Sequence, residues 1–530
     1  MRAILYLIKL GGWKFIGSGL LSLIAGFGSG YAIKIVNESI HSGINDLPRF
    51  LINLGISLFV FIVSSILASK AIIEILQNII ASLTKDFAIK ILNSKFIRTE
   101  ANQEKLMSVF FHDVNTISNL TEKIPNLFVS STVVLVCSGY IFYLSHELFL
   151  MLIGLIVLVG FSVILTNKPL REIAKINRDI FDNYLQKTNH LIFGIRELKL
   201  NKEHRDYFIR KEYEDTIEKK KSFTIKERII ITITDKIVES VALASIAFMV
   251  LFFTYFTSNS NHESFVEGFT MTLFLAAPLA SIASFAKGLK KFNAAINQIS
   301  LLGLELGDHS IKELKTNTLN KLNSEIVLKS VGFQYPNKSD FTLKDLDLTI
   351  EPGSICFITG GNGSGKTTLA KVLSGLYTPS SGSIEFNNET LSENNLDLYR
   401  NLFSAIWNDN HTFEDINYNR WEDFGWKKIL EDLELKSQVS IENGLYTNVK
   451  LSSGQLKRLA YLTLILEDKQ VCLFDEWAAN QDIEFKDYFY NTILSHLKSK
   501  GKTVIAITHD EKYFNKADKI YFLQEGKIKS

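Results

Sequence analysis

One stretch of the sequence has the residue types and spacing of a site for a phosphorylated ligand. From residue 360 to residue 367 it reads GGNGSGKT, which fits the P-loop pattern GxxxxGK[ST]. A strand-like run precedes it and a helical spacing follows, so the glycines fall at a turn whose backbone N–H groups attract phosphate oxygens. Lys366 is expected to reach the β- and γ-phosphates of a nucleotide, and Thr367 is expected to bind Mg²⁺. The expected nucleotide contacts in this stretch are Gly360, Asn362, Gly363, Ser364, Gly365, Lys366, Thr367 and Thr368.

A second strand-like run, 471–474, ends in two consecutive carboxylates, Asp475 and Glu476. An acidic pair at the end of a buried strand suits a P-loop site, because one carboxylate holds the Mg²⁺ shell and the other polarises a water toward the γ-phosphate. We therefore expect Asp475 to be a metal ligand and Glu476 to be the general base.

Between these motifs the chain reads Leu451-Ser452-Ser453-Gly454-Gln455, followed by a helical run. A serine and a glycine before a helix can present a hydroxyl and N–H groups to phosphate. The segment resembles the LSGGQ signature of ATP-binding cassette (ABC) proteins, with Ser453 in place of the first glycine. The resemblance implies that Ser452, Gly454 and Gln455 contact ATP.

Other parts of such a cassette follow in the expected order. Tyr335 matches the aromatic residue that stacks on adenine, and Asn480, Gln481 and Asp482 occupy the position of the D-loop. His509 matches the switch histidine. The resemblance thus implies ATP and Mg²⁺ as cofactors and a catalytic set made of Glu476, His509 and Lys366.

One position departs from the cassette pattern. The alignment places Asn408 where a glutamine normally contacts Mg²⁺ and couples the cassette to the membrane helices. An amide that is one methylene shorter can still reach the metal through a water. Asn408 is therefore a candidate metal contact.

Composition limits the class of protein. The 530 residues are enough for about three domain-sized units. The formal net charge of +2 creates no basic field, so a nucleic-acid partner is not expected. The cysteines, Cys137, Cys356 and Cys472, form no CxxC pair and are predicted to be small buried hydrophobic residues.

The first 300 residues contain six apolar stretches, each near the length of about 20 residues that a helix needs to cross a bilayer. The Lys- and Arg-rich segments that flank them all fall on one side of the membrane, which is predicted to be cytoplasmic. Two of these inner loops keep a helical spacing and are expected to continue the membrane helices. The first stretch is too long for a signal peptide, so it is read as an uncleaved span. The predicted spans are 15–36, 50–68, 125–143, 148–166, 241–256 and 265–286.

The predicted fold class is an α-helical six-span transmembrane domain of the type I ABC exporter kind, fused to an α/β P-loop ABC domain. We expect the transmembrane domain at 1–304, a polar linker at 305–324 and the ATP-binding domain at 325–530. Over essentially the whole chain, the sequence resembles a bacterial ABC exporter half-transporter. That resemblance implies an ATP hydrolase coupled to transport and a homodimer that encloses two ATP. It also implies that the protein lies in the bacterial inner membrane, in contact with membrane lipid, and that both termini are cytoplasmic.

A narrower resemblance concerns the cargo. The segment 475–482, which reads DEWAANQD with Trp477 after the acidic pair, resembles the cyclic-peptide and siderophore-peptide exporter subfamily. It implies export of a peptide, cyclic peptide or peptide siderophore. The alternatives are a lipid or multidrug exporter and, in another class, an ATP-gated regulatory membrane protein or channel that does not pump.

Overall fold

The computed structural model describes residues 2–42, 46–256, 262–306, 322–336, 342–416 and 425–529. The chain divides into two compact units, which are Met1–Ser94 with Arg98–Ile311, and Lys95–Ile97 with Lys312–Ser530. Most of the predicted linker, 305–324, lies outside the described residues.

The described residues up to residue 306 are almost entirely helical. Five of its helices have 41 to 48 residues, which gives the longest a length of about 70 Å against a hydrocarbon core of about 30 Å. These helices are therefore longer than a bilayer requires. The helical structure predicted for the loops is observed in α7 and α10, and the cytoplasmic position of the loops stays a prediction. The helices are α1 (Arg2–Ser42), α2 (Leu47–Asn93), α3 (Phe96–Ala101), α4 (Gln103–Ser108), α5 (Val114–Thr121), α6 (Ile124–Leu144), α7 (His146–Phe193), α8 (Ile195–Leu200), α9 (Lys202–Tyr207), α10 (Glu214–Phe256) and α11 (His262–Leu306), with π-helical turns at Val109–Asp113 and Phe208–Tyr213.

Among the described residues, four helical segments are long and apolar enough to cross a membrane. These segments correspond to the predicted spans 15–36, 50–68, 125–143 and 265–286, and a shorter apolar helix, His146–Phe161, covers part of 148–166. The span predicted at 241–256 lies in α10, several of whose side chains are not described. The count of six spans stays a prediction. The four segments are Trp13–Ser39, Leu47–Asn93, Lys105–Leu144 and Glu267–Ala286.

Small residues bring α1 close to its neighbours. A Cβ atom on Gly26 would lie 3.1 Å from the carbonyl group of Thr132 on α6, and one on Gly28 would lie 3.1 Å from the backbone nitrogen of Phe61 on α2. The Thr132 hydroxyl donates a hydrogen bond to the carbonyl of Ser22 at 2.8 Å. Close backbone approach of this kind is what holds helices together in lipid, where burial of apolar surface supplies little drive.

The second unit contains two larger sheets. An antiparallel sheet has the order β2-β1-β4-β5, and a six-stranded sheet has the order β12-β11-β3-β10-β9-β6, parallel except for its β12 edge. The strands are β1 (Ile326–Gln334), β2 (Thr342–Ile350), β3 (Ile355–Thr359), β4 (Ser381–Phe386), β5 (Glu389–Thr390), β6 (Phe403–Ile406), β7 (Ile441–Glu442), β8 (Leu445–Tyr446), β9 (Val471–Asp475), β10 (Thr503–Ile507), β11 (Lys519–Gln524) and β12 (Lys527–Lys529). The remaining helices are α12 (Lys366–Leu373), α13 (Leu396–Arg400), α14 (Trp426–Asp432), α15 (Ser453–Glu467), α16 (Ile483–Tyr488) and α17 (Leu494–Ser499).

The central strands β3, β9 and β10 are buried at every position, as expected for parallel strands covered on both faces. Because they run in the same direction, their carboxyl ends meet at one edge of the sheet. The segments that follow β3, β6, β9 and β10 carry the P-loop, Asn408, the acidic pair and His509. The sheet topology thus gathers motifs that are far apart in the sequence.

The predicted role of the cysteines is confirmed. Cys137, Cys356 and Cys472 are all buried, unpaired thiols. Burial raises the pKa of Cys356 and of Cys472 to about 12, so neither thiol ionises at neutral pH.

Candidate functional site

The P-loop connects β3 to α12, and its first glycine is fixed by close contact. Gly360 has φ +149°, and a Cβ atom there would lie 2.0 Å from the carbonyl oxygen of Leu523. A side chain is therefore excluded by both backbone conformation and space. Residues 361–363, including Asn362 and Gly363, are exposed, and Gly365 caps α12. The loop leaves its outer backbone open to a ligand.

Lys366 lies inside this loop, with only 6% of its surface exposed. Its Nζ donates hydrogen bonds to the carbonyl oxygens of Gly360 at 3.0 Å and Gly361 at 2.9 Å. Burial lowers the pKa of Lys366, and the carboxylates of Glu476 and Asp475 oppose that shift. A phosphate placed beside the ammonium would favour the charged lysine in the same way.

The P-loop also contains a buried hydroxyl whose hydrogen bonding is unsatisfied. Within the described part of the chain, Oγ of Ser364 has no hydrogen-bond partner. An unsatisfied buried hydroxyl is costly, and a phosphate oxygen is an acceptor that would satisfy it. The loop therefore fits a phosphorylated ligand in its side chains as well as in its backbone.

Two side chains with oxygen atoms that could bind a divalent cation lie together, Thr367 at the start of α12 and Asp475 at the end of β9. The hydroxyl of Thr367 donates to Oδ1 of Asp475 at 3.3 Å. Asp475 is buried, which raises its pKa, while the hydrogen bond from Thr367 lowers it. A cation beside this carboxylate would stabilise its charged form. The described residues contain no group of three His, Cys, Asp or Glu side chains that could hold a metal, and Mg²⁺ commonly takes most of its ligands from phosphate and water.

The acidic pair continues into a backbone conformation that few residues adopt. Glu476 has φ +50° and begins a 3₁₀ turn, Trp477–Asn480. Its N–H donates to the carbonyl of Ile507 at 3.2 Å, and its Oε1 lies 3.5 Å from Nε2 of His509. The structure therefore brings the expected base and the expected switch histidine together, beside Thr367 and Asp475.

Tyr335 lies next to the helix that follows the P-loop. Its hydroxyl is 3.1 Å from Oγ1 of Thr368, which is buried in α12. Its ring packs edge-on against Phe333 and Tyr377. This places an aromatic ring beside α12, the helix that follows the P-loop.

The signature residues form hydrogen bonds of their own. Ser452 caps α15, accepting from the Gln455 N–H at 3.3 Å, and the Gln455 side chain accepts from the Ser452 N–H at 3.0 Å. The Gly454 carbonyl accepts from Nε2 of Gln481 at 3.0 Å. Over the described ranges, no hydrogen bond joins Ser452, Gly454 or Gln455 to the P-loop. The side chain of Asn480 lies outside the described ones.

Sequence reasoning missed Lys457. This lysine of α15 donates to Oδ1 of Asn408 at 2.9 Å and to the carbonyl of Glu476 at 2.9 Å. Asn408, the candidate metal contact, thus accepts a hydrogen bond from an ammonium group through its side-chain oxygen. The residue as a whole is exposed. The only signal in the sequence was the pair of basic residues, Lys457 and Arg458, within the mostly apolar run 456–466.

Comparison with known families and proteins extends over both units. Residues 11–281 match the ABC transporter transmembrane region, and residues 343–479 match the ABC transporter family. The ATP-binding protein SyrD of Pseudomonas syringae pv. syringae is 29% identical over 98% of this chain and 94% of that protein. ATP-dependent lipid A-core flippases are 26% identical, covering 73% of this chain and 68% of the Pectobacterium atrosepticum protein, or 82% and 74% for Burkholderia thailandensis.

A solved structure shares the fold. The structure of a bacterial Atm1-family ABC exporter with ATP bound superposes with a TM-score of 0.80, covering 99% of this chain and 95% of that one at 16% identity. This confirms the predicted fold class, a helical transmembrane domain fused to an α/β P-loop domain.

The contact at Gly360 generates a test of the loop. Replacing Gly360 with Ala is expected to lower the free energy of unfolding by about 2 kcal/mol or more, because a Cβ meets a backbone oxygen and the φ is strained. It should also remove the rise in melting temperature on adding MgATP. The measurement is thermal unfolding of the purified full chain in detergent. Gly361→Ala is the control for stability, since a Cβ there meets nothing within 4 Å; equal melting temperatures for the two variants would contradict this account.

Proposed function

This chain belongs to the ABC transporter family, and we propose that it exports a peptide, a cyclic peptide or a peptide siderophore from the bacterial cytoplasm. It is an ATP-driven exporter of the half-transporter kind, with a transmembrane region and an ATP-binding domain in one chain. ATP hydrolysis is its enzymatic activity. The observation that supports this mechanism best is the meeting of P-loop, acidic pair and histidine at one sheet edge, since that set binds and hydrolyses a nucleoside triphosphate.

The proposed roles follow from the geometry of that edge. Lys366 binds the phosphates, and Glu476 takes a proton from the attacking water. His509, whose Nε2 lies 3.5 Å from the Glu476 carboxylate, orients that carboxylate. Thr367 and Asp475 would hold Mg²⁺, which neutralises charge on the phosphates when it is bound. Tyr335 would stack on adenine.

Export of a peptide is supported by charge within the helices. Glu267 lies at the start of a candidate span, where Tyr140 donates to its carboxylate at 3.3 Å and Asn37 donates to its backbone carbonyl at 3.2 Å. An ionisable residue that borders an apolar span and has polar partners on other helices is a candidate for the lining of a transport path. The Glu267 carboxylate would attract the ammonium groups of a peptide and repel the phosphates of an anionic lipid. The sequence around Trp477 supports the same cargo class.

Lipid export is the second candidate function. It is favoured by the lipid A-core flippases, which match over roughly three quarters of this chain, although SyrD matches over nearly all of it at slightly higher identity. The two candidates share one ATPase mechanism and differ in cargo alone.

We further propose the organisation of the active protein. Residues 1–304 would lie in the inner membrane, with 325–530 and both termini in the cytoplasm. The active form would be a homodimer, because Ser452, Gly454 and Gln455 make no hydrogen bond to the P-loop within the described chain. A partner's signature would then complete each site.

The role of Glu476 is tested by Glu476→Gln. The amide keeps the shape of the side chain but cannot take up a proton, so ATP hydrolysis is expected to fall at least about 100-fold. Binding of MgATP, measured by the shift in melting temperature, is expected to remain. Hydrolysis at the wild-type rate would remove Glu476 from the mechanism.

The shared site is tested by complementation in purified heterodimers, with a different tag on each chain. A heterodimer of Lys366→Ala and Ser452→Arg chains is expected to hydrolyse ATP at on the order of half the wild-type rate, because one composite site keeps both motifs intact. A heterodimer of a wild-type chain with a chain carrying both substitutions has no intact composite site and should be inactive. The reverse pattern would show that each site lies within one chain.

The cargo is tested in inverted membrane vesicles. A labelled cationic cyclic peptide is expected to accumulate inside the vesicles when ATP is added, and vesicles carrying Glu476→Gln should show no ATP-dependent uptake. A fluorescent lipid A analogue, tested in parallel, is expected not to move. Movement of the lipid without the peptide would replace the peptide proposal with the lipid one.

A further inference from the structure

Lys457 is a buried cation to which the ATPase roles above assign nothing. It lies in α15, a few residues after the signature, and only 4% of its surface is exposed. Burial lowers the pKa of Lys457, while the nearby carboxylates of Glu476 and Asp475 counter that shift. Burying an ammonium group costs free energy unless its hydrogen bonds are satisfied. The hydrogen bonds of Lys457 to its partners therefore offset the cost of burying it.

Those partners belong to two other motifs. The ammonium donates to Oδ1 of Asn408 at 2.9 Å and to the backbone carbonyl of Glu476 at 2.9 Å. In the opposite direction, the indole N–H of the buried Trp477 donates to the carbonyl of Lys457 at 2.7 Å. The pair Glu476-Trp477 is thus attached to α15 by two hydrogen bonds that run in opposite directions.

These hydrogen bonds act on a residue whose backbone is in a sparsely populated conformation. Glu476 has φ +50°, which a residue with a side chain keeps only where its surroundings fix it. The N–H of Glu476 donates a hydrogen bond to the Ile507 carbonyl at 3.2 Å, and the carbonyl of Glu476 accepts one from Lys457. With both ends of the residue held, its carboxylate is directed toward His509.

We propose that Lys457 is a positioning residue for ATP hydrolysis. It fixes Glu476 and Asn408 against α15, the helix that begins at the signature, so that the relative positions of Glu476, Asn408 and α15 stay constant. This inference rests on the proposed role of Glu476 as the base. It assigns Asn408 a partner within its own chain, in addition to any contact with Mg²⁺. Without this ammonium group, the P-loop would still bind the nucleotide. The carboxylate of Glu476, which acts on the attacking water, would be misplaced.

The test is Lys457→Met in the full chain, which replaces the aliphatic part of the side chain with an unbranched apolar one and removes the N–H donors. We expect kcat for ATP hydrolysis to fall about 10- to 100-fold while KM for ATP changes less than about threefold. Lys457→Gln, which retains an N–H donor, should recover part of kcat. A wild-type kcat in Lys457→Met, or a rise in KM without loss of kcat, would overturn the proposal.

Lys502→Met is the matched control for the loss of a buried lysine. Lys502 is 8% exposed and donates to the carbonyl and to Oδ1 of Asp468, at the far end of α15 from the signature. We expect this variant to melt at a lower temperature but to keep its kcat per folded protein. An equal loss of kcat in both methionine variants would show a general effect on folding and overturn a positioning role.

A double-mutant cycle tests the link to Asn408. If Lys457 acts partly through Asn408, then Asn408→Ala combined with Lys457→Gln should lose little more kcat than the worse single variant. Losses that multiply independently would remove Asn408 from the proposal. This cycle does not require Lys457→Met to fold. A failure of the base assignment itself is recognised separately, because Glu476→Gln would then retain hydrolysis.

Discussion

The cassette depends on the balance of charge at the carboxyl edge of its parallel sheet. Two buried ammonium groups, on Lys366 and Lys457, lie among two consecutive carboxylates, Asp475 and Glu476. Each ammonium alone would be costly to bury, and the neighbouring carboxylates offset part of that cost by favouring the charged lysines. Adding a triphosphate with Mg²⁺ brings both signs of charge to this edge. Binding of the nucleotide would therefore change the balance of charge around both lysines.

The sequence predicted the parts of the site that are recognisable from neighbouring residues. The P-loop could be identified because a strand, a glycine-rich turn and a helix follow one another without a gap. The pairing of Thr367 with Asp475 could be expected because both motifs end or follow buried parallel strands, although 108 residues separate them. In each case the residue type and the local element together were sufficient.

Lys457 could not be predicted in the same way. Its partners Asn408 and Glu476 are 49 and 19 residues away, and neither contact follows from helix periodicity. A lysine in an apolar helix is ordinarily assumed to point to solvent, and only the packing of α15 against the strand ends places it inside. The count of six membrane spans stays a prediction for a different reason, since helices of more than 40 residues mix apolar with charged turns.

Consecutive residues of α15 hold consecutive parts of the segment that follows β9. Lys457 holds Glu476, whereas the guanidinium of Arg458 donates to the side chains of Gln481 at 2.9 Å and Asp482 at 2.8 Å. Gln481 in turn donates to the Gly454 carbonyl within the signature. Because this helix begins at the signature, these hydrogen bonds link its first two turns to Glu476, the proposed base, and to Gln481 and Asp482. In the proposed mechanism, these hydrogen bonds would connect recognition of a nucleotide at the start of α15 with the position of Glu476.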